Sequence, residues 1–138
     1  MLWTIEEVVS RLGVTARTLH YYEEVQLLQP TTRSGGRHRL YDEEAIQRLE
    51  DILRLKETLG YSLAEIRSVV EAEDRLRVLR SSFAKDLPAS EKRRIQGEVV
   101  GLLEDVLQQM DQKIKHLQLA KRHYEERLRK AKGIELED

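Results

Sequence analysis

Gly13-Val14-Thr15-Ala16-Arg17-Thr18-Leu19-His20-Tyr21-Tyr22-Glu23-Glu24 is the stretch on which the fold turns. A glycine punctuates the chain, and two residues later Thr15 is placed to cap a new helix. Leu19, Tyr22 and Val25 then recur at helical spacing. Upstream, Thr4-Ile5-Glu6-Glu7 is a capping box: the hydroxyl accepts from a free N–H of the first turn, and the glutamate reaches back to the cap. Ile5, Val8, Val9 and Leu12 give this first helix one apolar face, which Gly13 ends. A helix of about two turns, a short turn and a second helix have the spacing of a helix-turn-helix.

Working outward, Pro30 is expected to stop the second helix. Gly35-Gly36, between Thr31-Thr32-Arg33-Ser34 and Arg37-His38-Arg39-Leu40-Tyr41, predicts a short β-hairpin. Asp42 caps a third helix with Glu43 and Glu44 in its first turn, where the helix dipole favours acids. Its apolar face is Ile46, Leu49, Ile52 (or Leu53), Leu55 (or Lys56) and Leu59, and Gly60 closes it. Ser62-Leu63-Ala64-Glu65 is a second capping box, with Tyr61 and Ile66 placed as a hydrophobic staple. The fourth helix runs through Ile66, Val69 and Val70. Arg75 to Phe83 reads as helical, and Leu87-Pro88-Ala89 as a break.

From Ser90 the pattern changes. Val100, Leu103, Leu107, Met110, Ile114, Leu117, Lys121, Tyr124 and Leu128 recur at strict 3-4 spacing, with Lys121 the one polar member. Four heptads with one seam predict a coiled coil. At 1.5 Å per residue this seam spans roughly 42 Å. One narrow stripe that long is not buried by so small a head, so a second copy of the chain is expected to cover it. A second stripe, Ile95, Val99, Leu102 and Val106, predicts that the N-terminal half also packs on the head or on the short segment before it.

Composition sets the bounds. The 138 residues are 36% charged and only 5% aromatic, with 2 prolines, which favours long solvated helices over a thick globule. There is no cysteine, hence no disulfide, thiolate metal site or cysteine nucleophile within these residues. Apolar runs stay far short of the roughly 18 residues of a membrane span, and the start lacks the shape of a signal peptide. A soluble, cytoplasmic protein with no membrane partner is expected. The net charge is −1, so nucleic-acid binding has to rest on a local patch.

Such a patch exists. The seventeen residues from Val25 to Tyr41 contain no acid but hold Arg33, Arg37, His38 and Arg39. Beside them, the second helix offers Arg17, Thr18, His20 and Tyr21 on or near the face opposite Leu19 and Tyr22. Arginine forks match phosphates and guanine edges, while hydroxyls and helix N-termini hold phosphates in register. Thr15, Arg17, Thr18, His20, Tyr21, Arg33, Arg37, His38, Arg39 and Tyr41 are therefore the candidate DNA-binding set. The seam from Val100 to Leu128 is the candidate dimer interface.

These residues resemble the MerR family of bacterial transcription regulators. The resemblance covers residues 3–70 and is carried by Trp3-Thr4-Ile5-Glu6-Glu7, by the stretch from Gly13 to Glu24, by Arg39-Leu40-Tyr41-Asp42-Glu43-Glu44 and by Leu59-Gly60-Tyr61-Ser62-Leu63-Ala64-Glu65-Ile66. It implies a winged helix-turn-helix head and a dimerisation helix that pairs antiparallel. It also implies a near-palindromic promoter site that the dimer bends and underwinds for RNA polymerase, and an effector of unknown identity. It makes Arg17, Thr18 and Tyr21 contacts of the recognition helix, and Arg39 and Tyr41 contacts or supports of the wing. His20 departs from the family pattern, where arginine is common, and so does Arg37-His38, where Gly-Tyr is common.

The expected fold is mainly α: a winged helix-turn-helix domain with a β-hairpin wing (1–72), a partly helical connector (73–90), a long coiled-coil dimerisation helix (91–130) and a flexible tail (131–138). Two rival readings share that fold, a ligand-independent repressor or architectural protein and a coiled-coil adaptor whose head binds protein. Enzyme activity is not expected, because Ser81 and Ser82 lack a base partner and no phosphate loop appears. No cofactor or metal is expected. His116 and His123 fall seven residues apart at one outward heptad position, whereas ligands on adjacent turns would stand four apart. Trp3 is expected to pack on the first helix and the wing. Lys121 is expected to snorkel and set register, its alternative being an anion notch beside Tyr124.

Overall fold

Thr4 caps α1 (Ile5–Leu12) as its spacing predicts. Its hydroxyl accepts from the Glu7 N–H at 3.3 Å, and the Glu7 carboxylate accepts from the Thr4 N–H at 3.1 Å. Gly13 ends the helix at φ 68°, a left-handed conformation that strains any residue with a Cβ. Thr15 then opens α2 (Ala16–Glu24), its hydroxyl accepting from the Thr18 N–H at 3.1 Å. The computed structural model describes residues 1–30, 32–34 as backbone, and 38–136.

The second helix ends six residues before Pro30. Gln26 turns left-handed at φ 63°, the single non-glycine to do so among the described residues. The Leu27 N–H bonds to the Tyr22 carbonyl at 2.9 Å and the Gln26 N–H to the Glu23 carbonyl at 3.0 Å, which is a Schellman closure. Tyr22 and Leu27, the two apolar ends of that motif, are both buried. Arg48 Nε donates to the Leu27 carbonyl and Arg67 Nη2 to the Val25 carbonyl, each at 2.6 Å. The turn behind the second helix is thereby fixed from two other helices. Gln26→Gly is expected to raise stability by about 0.5–1 kcal/mol, the relief of left-handed strain exceeding the added freedom of the unfolded chain. A shift of the urea midpoint at unchanged slope checks it.

The two strands of the predicted hairpin pair as β2 (Thr32–Ser34) and β3 (His38–Tyr41), the expected Gly35-Gly36 loop lying outside the described residues, and a third strand, β1 (Trp3–Thr4), joins them. The sheet order is β1-β3-β2, antiparallel throughout, with Trp3 opposite Tyr41 and Arg33 opposite Arg39. Trp3 thus lies on the wing strand, and the Arg11 guanidinium covers its ring at 4.9 Å. Two residues of strand carry no readable alternation, so β1 had no sequence signal.

Asp42 caps α3 (Glu43–Leu53), its carboxylate accepting from the Ala45 N–H at 2.9 Å. Ile46, Leu49, Ile52 and Leu55 are buried as expected. Leu59 is not: it is 48% exposed. The helix widens into a π turn (Arg54–Thr58), and the Leu59 N–H reaches back five residues to Arg54. That extra residue rotates Leu59 off the apolar face. Gly60 closes the turn at φ 66°. Ser62 and Glu65 then form the second capping box, at 2.8 and 3.2 Å, opening α4 (Leu63–Ser82) between the buried Tyr61 and Ile66.

The chain forms two compact units, Met1–Asp74 and Arg75–Asp138, divided within α4. In the first, Val8, Leu19, Tyr22, Leu28, Tyr41, Ile46, Ile52 and Ile66 are at most 2% exposed. Each such aliphatic contributes about 1.5–3 kcal/mol. The second holds the end of α4 and one 44-residue helix, α5 (Ala89–Lys132). Here the two stripes diverge. Ile95 and Leu79 are buried, and Val99, Leu102 and Val106 are half-buried. The Arg75 guanidinium grips the Glu98 carboxylate with two N–H groups, one at 2.9 Å, joining the end of α4 to α5. That grip holds the Glu98 carboxyl below the usual carboxylate range and pushes Arg75 up. The partner of this second stripe includes the short segment before it. The seam stripe stays open: Val100, Leu103, Leu107, Ile114, Leu117, Tyr124 and Leu128 are all exposed, and Met110 is half-buried.

Candidate nucleic-acid interface

α2 has one buried and one open side. Leu19 and Tyr22 are 0% and 1% exposed, which fixes the helix against the core. Arg17, His20 and Tyr21 follow at i, i+3 and i+4 on the outer side, and all three are exposed. Among the described residues Arg17 has no hydrogen-bond or ion-pair partner, so its guanidinium is free for an outside acceptor. Thr15 is exposed and Thr18 half-buried, their hydroxyls 2.9 Å apart at the helix N-terminus. A helix of nine residues with this outer side fits the roughly 12 Å width of the DNA major groove.

The wing residues divide. His38 is exposed on β3. Arg39 is folded back: its Nε lies 2.7 Å from Glu23 Oε2 and its Nη1 3.3 Å from His20 Nε2. Tyr41 is 1% exposed, and its hydroxyl donates to the same Glu23 carboxylate. The candidate DNA contact Tyr41 therefore stands as a support, since its ring is core and its hydroxyl is engaged. The Arg33 side chain and Arg37 lie outside the described residues; the backbone register alone sets Arg33 opposite Arg39.

Glu23 is the residue that sequence reasoning missed. It ties the recognition helix to the wing strand, pairing with the Arg39 guanidinium as an ion pair and accepting a hydrogen bond from the Tyr41 hydroxyl. The available signal was spacing: His20 and Glu23 stand three apart on α2, and Arg39 and Tyr41 two apart on β3, so each pair shares a face. An acid beside a basic hairpin reads as repulsive to DNA until its two partners are seen.

No cluster of three or more His, Cys, Asp or Glu able to hold a metal ion occurs among the described residues. His116 and His123 are both exposed on α5, and the His123 ring meets Tyr124 edge-on at 5.4 Å. No helix among the described residues is long and apolar enough to cross a membrane.

Comparison with known proteins places this geometry. Residues 3–73 match the family model described as MerR HTH family regulatory protein. The HTH-type transcriptional regulator YfmP of Bacillus subtilis is 33% identical over 129 residues, covering 94% of this chain and 89% of that protein. The transcription regulator PbrR691 of Ralstonia metallidurans, solved with lead(II), superposes with a TM-score of 0.50 at 28% identity over 92% of this chain and 86% of that one. HiNmlR, a MerR family regulator lacking the sensor domain and solved on promoter DNA, shares the fold with a TM-score of 0.50 at 20% identity, covering 98% of each chain. The family match over the whole head, and the YfmP likeness that continues through α5, lead to one assignment: the chain belongs to the MerR family of helix-turn-helix regulators and is a DNA-binding regulator of transcription.

Proposed function

We propose that two copies pair through the seam of α5 and seat their two α2 helices in successive major grooves of a near-palindromic promoter operator, which they distort. The observation that carries the dimer is the open seam. Its seven exposed apolar residues are 45% to 72% exposed along one helix. Covering the exposed half of each contributes about 1 kcal/mol apiece.

Charge favours antiparallel order. Residues 113–132 carry eight lysines and arginines against two glutamates, whereas residues 89–112 carry five acids against three bases. Antiparallel helices set the basic half on the acidic half, and parallel helices set like on like. Parallel pairing in register also places Lys121 against its own copy. Antiparallel pairing about Ile114, the middle of the seam, places it near the partner's Leu107, one turn from the partner's Glu104 and the partner's Asp111.

Thr15, Arg17, Thr18, His20 and Tyr21 are the proposed contacts of the recognition helix, His38, Arg33 and Arg37 the proposed contacts of the wing, and Arg39 and Tyr41 its proposed supports. The promoter DNA held by HiNmlR on the same fold supports this reading. RNA polymerase is the proposed partner at the promoter, a small-molecule effector of unknown identity the proposed switch, and the cytoplasm the proposed compartment. The lead(II) of PbrR691 is not carried over: soft ions select thiolates, and these residues supply none. Selection from a random pool of duplex DNA tests the proposal. The expected product is an inverted repeat with half-sites one or more helical turns of about 34 Å apart. Recovery of unrelated sequences, or of single half-sites, would contradict it.

A further inference from the structure

His20 stands on the open side of α2 with its Nε2 3.3 Å from Arg39 Nη1. A guanidinium has donors only, so this hydrogen bond requires Nε2 to accept. Accepting at Nε2 is the property of the Nδ1–H tautomer of the uncharged ring. Protonation would remove the acceptor and set a second cation beside Arg39. Glu23 and Tyr41 stand behind Arg39, and the Glu23 carboxylate is already engaged by both. Arg17 and Glu24, three and four residues from His20 on α2, are the charged groups beside it on that helix and are exposed, whereas His38, next to Arg39 in β3, alternates to the other face of the strand. The free protein therefore offers His20 a cation as its direct neighbour.

Duplex DNA reverses that balance, because it brings about one negative charge per 1.7 Å of helix axis to this surface. We propose that His20 takes up a proton when the protein binds DNA. The neutral ring holds Arg39 in the free protein; the imidazolium, formed by a proton from solvent bonding to Nε2, acts as an added cation of the recognition helix in the complex. Arg39 Nη1, released from His20, turns its N–H toward the same phosphates while Nε stays on Glu23. A group that binds its proton more tightly in the complex strengthens binding as pH falls, by at most tenfold per pH unit. The inference rests on α2 facing DNA, as proposed above, and adds the protonation state that DNA selects.

The test uses the full chain and a duplex recovered from the random-pool selection, with affinity read by fluorescence anisotropy at constant ionic strength. Between about pH 7.5 and about pH 6, spanning the ordinary histidine range, affinity is expected to rise about three- to tenfold. His20→Gln keeps an acceptor near the Nε2 position but cannot titrate, and its profile is expected to be flat. His20→Arg carries its charge throughout and is expected to be flat as well. His116→Gln, exposed on α5 and outside the proposed DNA contacts, is expected to keep the wild-type slope. Calorimetry in two buffers of different ionisation enthalpy is expected to show net proton uptake by the wild type and less by His20→Gln. A flat wild-type profile, affinity that falls with pH, or an undiminished slope in both His20 variants would overturn the inference while leaving DNA binding intact. Failure to bind at every pH would overturn the DNA reading itself.

Discussion

Ile114→Glu is expected to split the dimer and weaken operator binding by about a hundredfold or more. Ile114 is 53% exposed on α5, so the substitution does not disturb the core of a single chain. In an antiparallel pair centred on this residue, the two glutamates meet across the seam with no cation between them. Burying like charges there opposes association directly. Once the copies separate, each head binds a half-site alone and the gain from linked binding, roughly 10²- to 10⁴-fold, is lost. Sedimentation velocity reads the assembly and anisotropy reads the affinity. Helicity by circular dichroism is expected to fall only partly, since the head keeps its own core. An unchanged sedimentation coefficient would show that the copies do not meet at this seam.

Arg17→Ala is expected to cost roughly 1–3 kcal/mol at the operator, or about five- to 150-fold in affinity, with no change in thermal stability. The side chain is exposed and, among the described residues, unpaired, so removing it breaks no internal contact. If Arg17 reads a base edge, the loss is confined to the selected sequence and the preference at one position relaxes. If it touches phosphate alone, binding weakens equally on all duplexes and the slope against log salt falls by about one. Competition between operator and non-operator duplexes at two salt concentrations separates the two. A folded Arg17→Ala protein with undiminished binding on both would take Arg17 out of the interface.

Local chemistry made most of the head readable. Thr4, Thr15, Asp42 and Ser62 are caps because a short polar side chain and the N–H groups of the next turn lie within three residues of each other. Gly13 and Gly60 announce left-handed closures in the same way. Gln26 does not announce itself, since its conformation comes from the Arg48 and Arg67 bonds that clamp its neighbours from 21 and 42 residues away. The π turn at Arg54–Thr58 was equally hidden: its apolar residues suit an ordinary helix until Leu59 is found exposed.

The candidate interface was legible in type but not in use. Arg17, His20 and Tyr21 stand outward as helical spacing requires, whereas Arg39 and Tyr41 turn toward Glu23. A basic hairpin predicts positive charge; it does not reveal which arginine an acid on the neighbouring helix will claim. The seam is the clearest long-range pattern: a 3-4 repeat kept over four heptads, whose apolar residues are mostly exposed along α5.

The mass of the complex tests most directly whether two copies hold one duplex between two heads. Sedimentation equilibrium of the full chain with its selected duplex, at low ionic strength, is expected to give two chains per duplex, and two chains without DNA. One chain per duplex, or no complex with any duplex offered, would contradict that arrangement.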